Sequence, residues 1–434
     1  MGFFGRKRAP SVPHPRKEPR FDGPLTLKRL EQIFQDCVDF TKRPVSLGEG
    51  GACTLTLCYL SGMVKMERVS DYVLRPLAQD EALARCGTPR QAMEEMMGGA
   101  LYNLSAAERT TLDEAAFDLV AGWCLMFFPG ESAVLSLFVG TEEKRSISSP
   151  SNETVLKGSR DAFVESLRTN TSIVRRHLKT PELRIREQVV GRQSVTSVDI
   201  LYIEGLTNPH LVEQVAAQLA DIDIDAVLAT GNIEEYIVPA ARTAFPLVQY
   251  TERSDRFCAG LAEGRVGILI DGLPLGYLAP GVLGDFLQAP QDKSESWLLA
   301  SALTLLRYLC MLGTLLLPAL YVAMVTFHQE MIPTRLALSI IAAKQDVPFR
   351  SVFEVIVLLL AFEILQEAGL RLPQSIGQTV SIIGGLVVGS AAVEAKIISP
   401  AVLIVVAIAG IAGYTMPSQE VAGALRIWRV LPAL

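Results

Sequence analysis

Hydrophobic and polar positions divide the chain into a mixed front part and a strongly apolar back part. Thr54–Leu60 and Thr196–Ile203 alternate apolar with polar residues, which is typical of strands that bury one face. Leu25–Phe40 and Asn208–Ile222 instead repeat their apolar residues at helical spacing. Strands and helices therefore alternate, which predicts an α/β fold for the front part.

The two predicted strands lie in segments that resemble each other. Each is followed by a helix, and each helix by two apolar runs separated by a glycine turn. The helices are Ala115–Gly122 and Ser254–Gly264, and the paired runs are Trp123–Phe128 with Ala133–Val139 and Val266–Ile270 with Leu273–Leu278. Tyr59 lies 143 residues before Tyr202, and Gly122 lies 142 residues before Gly264. Near-equal offsets favour two copies of one α/β unit, with chance repetition of strand and helix order as the alternative.

Long apolar segments begin at Trp297. Trp297–Phe327 has 31 residues and a single charge, Arg307, so it is long enough to cross a membrane as a helix. Two further candidate spans and one shorter helix follow it: Ser375–Val393, Ile397–Met416 and Val352–Leu365. Pro333–Ala343 is typical of a re-entrant or interfacial helix. We therefore expect an all-α polytopic membrane domain with three spans and Val352–Leu365 as a candidate fourth.

Charge follows the same division. Of the 46 acids and 40 bases in the 434 residues, Trp297–Leu434 holds only 7 acids and 8 bases, which leaves 39 acids and 32 bases in the first 296 residues. The mean hydropathy of +0.31 is high for a purely water-soluble enzyme. Intrinsic disorder, collagen and a disulfide scaffold are excluded as classes, and the net charge of −6 does not favour binding to nucleic acid.

Cysteine spacing indicates a reducing compartment. The seven cysteines form no CxxC pair and no Cys/His spacing of a zinc site: Cys37, Cys53, Cys58, Cys86, Cys124, Cys258 and Cys310. Free thiols are the simplest interpretation, so the front part is expected on the cytoplasmic side.

Five regions are predicted from these patterns. They are a disordered basic tail at residues 1–24, α/β subdomains at 25–150 and 151–290, a helical transmembrane domain at 297–420, and an amphipathic tail at 421–434. The basic tail is expected either to contact anionic lipid or to act only as a solubilising leader.

Motifs of enzymes and cofactor sites are not found. The sequence contains no GxxxxGK[ST], HExxH or GxSxG pattern, and no GxGxxG after a strand. His328 stands near Glu330 at the end of an apolar segment, where an interfacial role is more common than metal binding. We expect no catalytic residue, no cofactor and no metal.

Two charge clusters stand out in the front part, Thr251-Glu252-Arg253 and Arg175-Arg176. Surface ion pairs or loop anchoring would explain them as well as ligand binding would. Asp271 is most simply a turn former.

Acidic residues within an apolar helix provide the main candidate site. At 100° per residue, Ile356, Leu360, Glu363 and Glu367 share one face, with Glu354 opposite Glu363. Carboxylates at membrane depth normally face protein or water, so several copies around an axis would form an apolar constriction beside an acidic ring. The alternative is an amphipathic helix at the interface or paired with Arg371.

Small residues recur along the predicted span Ser375–Val393. Gly377, Ser381, Gly385 and Gly389 follow one another at i+4 spacing, which makes a flat stripe where a second helix backbone can approach. A helix-packing seam is the expected role.

Several stretches resemble the A subunits of the GerA family of spore germination proteins, including SpoVAF-like members. They are Glu153–Val174, Tyr250–Arg253, Asp271–Pro274, Leu317–Pro333, Phe362–Gly377 and Val387–Pro400. Members of that family usually continue into another hydrophobic segment, whereas this chain stops at Leu434, which fits a shortened copy.

The resemblance implies an integral membrane protein of the endospore inner membrane with its N-terminal domain on the core side. It also implies a transporter-like B subunit and a lipoprotein C subunit, or paralogous germination proteins, as partners, and homo-oligomers that pass ions in response to nutrients. A non-conducting scaffold that docks partners through the soluble domain is the alternative function, and a membrane-anchored enzyme is disfavoured by the missing motifs.

Overall fold

The computed structural model describes residues 20–47, 53–84, 86, 88–100, 105–140, 153, 155, 159, 161–227, 235–237, 243–371 and 389–429. The chain forms two compact units, the first largely from residues before Gly281 and the second largely from Gly281 onward. Of the other described residues, 155 and 243–249 belong to the second unit.

Two five-stranded antiparallel sheets make up the first unit. The first contains β1 Phe40–Leu47, β2 Cys53–Leu60, β3 Ala106–Arg109, β4 Trp123–Phe127 and β5 Val134–Phe138, and the second contains β6 Leu183–Val190, β7 Thr196–Ile203, β8 Gln249–Thr251, β9 Val266–Ile270 and β10 Gly276–Ala279. Their orders are β1-β2-β4-β5-β3 and β6-β7-β9-β10-β8. Strands β2 and β7, which carry Tyr59 and Tyr202, therefore occupy equivalent places. This equivalence is the arrangement that the two-copy interpretation predicts.

The helices of the first unit cover both sheets. They are α1 Leu27–Ile33, α2 Met66–Val69, α3 Arg75–Gln79, α4 Glu81–Ala84, α5 Pro89–Glu95, α6 Leu112–Val120, α7 Leu167–His177, α8 Pro209–Ala220 and α9 Ser254–Ala262. Side-chain caps begin several of them, as where the Thr111 hydroxyl accepts from Glu114 N and Asn208 Oδ1 from His210 N. Leu57 faces a core shared with α2–α5, whereas Cys58 faces a core shared with α1 and α6. The first sheet is therefore buried on both faces.

Local backbone geometry corrects one sequence prediction and supports another. The helix predicted over Leu25–Phe40 ends at Ile33, because Asp36 adopts a left-handed φ of 63° and the chain then enters β1. The two predicted glycine turns are present, with positive φ values of 81° at Gly130 and 82° at Gly272. In the second hairpin the strand after the turn is shorter than predicted and starts at Gly276.

The second unit is helical. It contains α10 Leu283–Leu287, α11 Trp297–Thr326, α12 Thr334–Lys344, α13 Ser351–Arg371, α14 Pro400–Gly413 and α15 Gln419–Trp428. Helices α11, α13 and α14 share a buried core that includes Tyr321, Val355 and Val402. Thr314 on α11 donates to the carbonyl of Ala409 on α14 at 3.2 Å.

Helix lengths differ from the predicted spans. Among the described residues, only the 30-residue α11 is long and apolar enough to cross a membrane. The span predicted over Ile397–Met416 is a helix of 14 residues, α14, and the short helix predicted over Val352–Leu365 is a helix of 21 residues, α13. Most of the predicted span Ser375–Val393 lies outside the described residues.

Candidate functional site

Helix α13 has a buried side and an outward side. Val355 and Leu359 are each at most 1% exposed in the core shared with α11 and α14, whereas Leu360 is 51% and Ile364 is 69% exposed. An apolar side chain left open on a helix that is otherwise packed is a surface for lipid or for another protein chain.

All four predicted pore-lining residues lie along the outward side. Leu360 and Glu367 are exposed, and Ile356 and Glu363 are half-buried, while Glu354 is buried on the opposite side. Whether the face lines a pore stays a prediction.

An ion pair holds Glu363 within the chain. Its Oε2 accepts from Nη2 of Arg429 at 3.0 Å, and its Oε1 lies 3.6 Å from Nη1 of Arg426. The Arg429 side chain is only 5% exposed, against 38% for Glu363. Both arginines come from the end of α15, so a segment that the sequence assigns to an amphipathic tail neutralises the acid. Glu367 lies one turn further on, at the exposed end of the same face.

Sequence reasoning missed a buried carboxylate that joins three helices. Glu354 Oε2 accepts from the backbone N of Ser399, just before α14, at 2.8 Å. Its Oε1 lies 3.4 Å from Nζ of Lys344 on α12, and the Glu354 side chain has no exposed surface. A negative charge before the first turn of α14 is favourable because the helix dipole is positive there. The one sequence signal was the position of Glu354 opposite Glu363, which separates it from the outward side of α13.

A second ion pair balances Arg307, the single charged residue of α11. Arg307 donates to Asp292 Oδ1 at 3.0 Å, contacts Oδ2 of the same carboxylate, and donates to the carbonyl of Leu287 at 3.1 Å. Asp292 sits in a 3-10 turn, Pro290–Ser294, directly before the helix. The pair cancels the charge of Arg307 and ties the start of α11 to the preceding turn.

One residue of the predicted glycine stripe can be placed. Gly377, Ser381 and Gly385 lie outside the described residues. A Cβ built on Gly389 would be 3.1 Å from Cδ1 of Leu403 on α14, tighter than ordinary packing. Gly389 therefore allows a close approach to α14, as expected of a packing residue.

In the first unit, three of the stretches that resemble the germination family come together. Glu153 Oε1 pairs with Arg256 at 2.5 Å, and its Oε2 accepts from the Thr251 hydroxyl and from Glu252 N. Arg253 donates to the carbonyls of Glu153 at 3.3 Å and Ser159 at 3.0 Å.

The third stretch, Asp271–Pro274, contacts the first stretch, Glu153–Val174, at the start of α7. Asp271 Oδ1 accepts from Leu167 N at 3.0 Å, at the start of α7. These contacts anchor loops and give no group a free reactive position. Loop anchoring, one of the predicted roles of this charge cluster, is the role that the structure supports.

Arg175, the first residue of the Arg175-Arg176 cluster, is buried and does not form a surface ion pair. Arg175 is 1% exposed and pairs with both carboxylate oxygens of Asp39 at 2.6 and 2.8 Å. Arg175 belongs to α7 and Asp39 to the segment before β1, so the pair joins the two subdomains. Arg186 also reaches across to Asp36, at 3.0 Å.

Asp199 is a buried acid on β7. Its side chain has no exposed surface, and its nearest cation is Arg168 at 3.3 Å. Burial raises the pKa of Asp199 to about 7, against the opposing effect of Arg168, and the charge of Glu187 adds to the rise. Its Oδ1 has no hydrogen-bond partner.

In the part of the chain that the structure describes, the groups best suited to nucleophilic chemistry are not arranged for it. Ser254 Oγ lies 3.1 Å from His177 Nε2, but the same nitrogen is also the one nearest to Asp161, at 3.7 Å. A catalytic triad needs the acid on the other ring nitrogen, and Ser254 is fully buried. Within the described residues, no three His, Cys, Asp or Glu side chains are grouped to hold a metal ion.

Comparisons with known proteins give a consistent result. The sequence profile described as "Bacillus/Clostridium GerA spore germination protein" matches residues 28–433. The chain is 37% identical to the "Uncharacterized membrane protein YfkQ" of Bacillus subtilis, over 93% of this chain and 77% of that one. It is 37% identical to "Spore germination protein KA" of Bacillus subtilis, over 91% and 72%, and 34% identical to "Spore germination protein GerLA" of Bacillus cereus, over 92% and 80%.

A solved structure is also similar. The crystal structure of the N-terminal domain of the A subunit of the Bacillus megaterium spore germinant receptor GerK3 aligns with 59% of this chain and 94% of its own. The identity is 27% and the TM-score 0.46.

Proposed function

The chain belongs to the GerA family of spore germination proteins, and on that basis we propose that it acts as the A subunit of a membrane complex that triggers germination. Its role in that complex is to assemble and to open an ion path; it performs no covalent chemistry and needs no cofactor.

Two features of the second unit and the name of one relative support a membrane setting. Helix α11 has 30 residues, which exceeds the roughly 20 needed to cross a bilayer. Its one charge, Arg307, is paired with Asp292 in the turn before the helix, so it does not enter the hydrocarbon as an isolated charge. The relative YfkQ, which is 37% identical, is itself named a membrane protein. We place the complex in the inner spore membrane with the first unit on the core side.

The observation that carries the conducting role is the outward side of α13. Leu360 and Ile364 are open although the helix is packed against α11 and α14 on its other side. Several copies around an axis could bring these apolar side chains together as a constriction, with Glu367 at its end to attract cations. A helix of 21 residues is about 32 Å long, which is comparable with the thickness of the hydrocarbon core of a bilayer.

A specific observation favours the alternative, a non-conducting scaffold. Glu363 is already neutralised by Arg429 and Arg426 of its own chain. A carboxylate with two cations adds little net negative charge to a pore, so Glu363 would contribute little to an acidic ring.

Partners are inferred from the relatives. Membership in the GerA family implies a transporter-like B subunit and a lipoprotein C subunit as partners, with paralogous germination proteins as the other choice. Assembly with further copies of this chain is part of the conducting proposal.

Ion efflux from spores tests the conducting role. Leu360→Ala shortens a side chain at the proposed constriction, so spores should release cations without nutrient. Leu320→Ala on α11 is the matched control, because Leu320 is equally open at 55% but lies outside the proposed face. Glu367→Lys should slow release after nutrient, because it reverses the charge at the end of the path. Normal efflux in both α13 variants, at equal protein level, would contradict the conducting role and leave the scaffold.

A further inference from the structure

A partly open cavity of about 560 Å³ lies within the second unit, between the end of α11, the helix α12 and the start of α13. Its wall is mostly apolar, with Phe327, Ile332, Ala337, Ile340, Ile341 and Val352 among the lining residues. Sites for small molecules typically have volumes of about 300–1,000 Å³ and similar apolar walls with a few polar groups. The cavity is therefore large enough for part of a lipid-sized ligand.

Two cations line the same cavity, Lys344 and Arg350. Lys344 lies 3.4 Å from the buried carboxylate of Glu354, so its charge is largely balanced. Arg350 is exposed and forms no ion pair with any residue that the structure describes. The nearby Asp346 pairs with Lys396 instead. The wall thus combines an apolar surface with one uncompensated guanidinium.

The rim of the cavity is also apolar. Phe327 is 73% exposed, Ile341 is 62% exposed and Phe349 is 41% exposed. Large side chains open to water are costly, but at the end of a membrane-spanning helix they meet acyl chains. At the same end of the helix, an unpaired arginine can bind the phosphate of a lipid headgroup through two parallel hydrogen bonds.

We propose that this cavity is a binding site for one anionic phospholipid, with an acyl chain against the apolar wall and the phosphate at Arg350. The proposal rests on the membrane setting argued above but not on ion conduction. A protein segment would have to supply its own acid to Arg350, whereas an anionic phospholipid carries the charge and the apolar chain in one molecule. The site would couple the lipid to the junction of α12 and α13, and hence to the start of the helix proposed to line the path.

Native mass spectrometry of the full chain tests the site. The chain is purified in detergent with an equimolar mixture of phosphatidylglycerol and phosphatidylcholine, and the retained lipids are counted. We expect one phosphatidylglycerol to be retained in preference to phosphatidylcholine. Arg350→Gln should lower that preference about tenfold, as expected when one charge-assisted contact is lost.

Matched variants separate the cavity from the general surface. Arg335→Gln removes an exposed arginine of α12 that does not line the cavity, and it should leave retention unchanged. Ala337→Trp fills the cavity and should abolish retention, whereas Ala342→Trp adds the same side chain to an exposed position of the same helix outside the lining. Equal retention in wild type, Arg350→Gln and Ala337→Trp would overturn the proposal. Equal loss in the control variants would do so as well, since it indicates diffuse attraction.

Three further outcomes can be distinguished. If Ala337→Trp changes the oligomer mass but not the lipid count, a second copy of the chain occupies the cavity and the lipid proposal is wrong. If alkaline carbonate extracts the wild-type chain from spore membranes, the membrane setting itself fails. A chain that resists extraction but retains no phosphatidylglycerol overturns only the lipid site.

Discussion

Exchanging the charges of Glu363 and Arg429 separates a structural role of this acid from a role in ion passage. The pair has an oxygen–nitrogen distance of 3.0 Å, and its arginine is almost fully buried while its acid is 38% exposed. Exposed pairs contribute about 0–1 kcal/mol, and removal of one partner of a buried pair costs about 3–5 kcal/mol. For Glu363→Gln we therefore expect a loss of about 2 kcal/mol, or a factor of about 30 in the ratio of folded to unfolded chain.

The assay follows membrane abundance and cation efflux in the same spores. Glu363→Arg and Arg429→Glu should each lower abundance, since each places like charges next to each other, and the double variant should restore it. If the acid only holds α15, efflux recovers together with abundance. If its charge also faces the ion path, the double variant accumulates but releases cations slowly. Glu330→Gln, at an exposed position in the segment after α11, is the control.

Two results would refute this reasoning. Normal abundance of Glu363→Gln and of both single reversals would mean that the pair contributes no stability. A double variant as scarce as the single ones would mean that the two side chains do not interact in the assembled protein.

Three further predictions concern other parts of the chain. Arg175→Met should lower the free energy of unfolding by about 3–5 kcal/mol, because it leaves Asp39 buried and unpaired. Adding Asp39→Leu should recover most of this loss. Equal denaturation midpoints of the single and double variants would count against a stabilising Arg175–Asp39 pair. Asp199 keeps its proton in the folded chain up to about pH 7 but loses it near pH 4 when unfolded, so stability falls as pH rises between these values. The free energy of unfolding of Asp199→Asn, relative to that of the wild type, should therefore rise from pH 5 to pH 8 by at most about 4 kcal/mol. A difference in denaturation midpoint that stays constant over this pH range would show that the pKa of Asp199 is not raised. Gly389→Leu should reduce the accumulation of the chain because Leu403 leaves no room, whereas Gly410→Ala, which meets nothing within 4 Å, should be neutral or stabilising by up to about 1 kcal/mol; equal accumulation would exclude a close seam.

Sequence patterns predicted the central elements well and the edges poorly. Strands β2, β4, β7 and β9 are central and largely apolar, so their patterns are clear. The edge strand β1 contains Lys42, Arg43 and Pro44, because an edge faces water and must not pair further, and nothing in its pattern predicted a strand. The turn glycines were found because a positive φ selects glycine strongly.

The sequence by itself determined the division into an α/β part and an apolar helical part, the repeated succession of strand and helix in the α/β part, the family, and which α13 residues share a face. Each depends on periodicity, on composition or on motifs that are continuous along the chain. Only the tertiary structure decided which charges are paired. Arg175 meets Asp39 across 136 positions of sequence, Glu363 meets Arg429 across 66, and Glu354 caps α14 across 45. Local spacing carries no record of such contacts, because the partner's position is set by packing of whole elements and a charge has the same sequence signature whether it is solvated or buried.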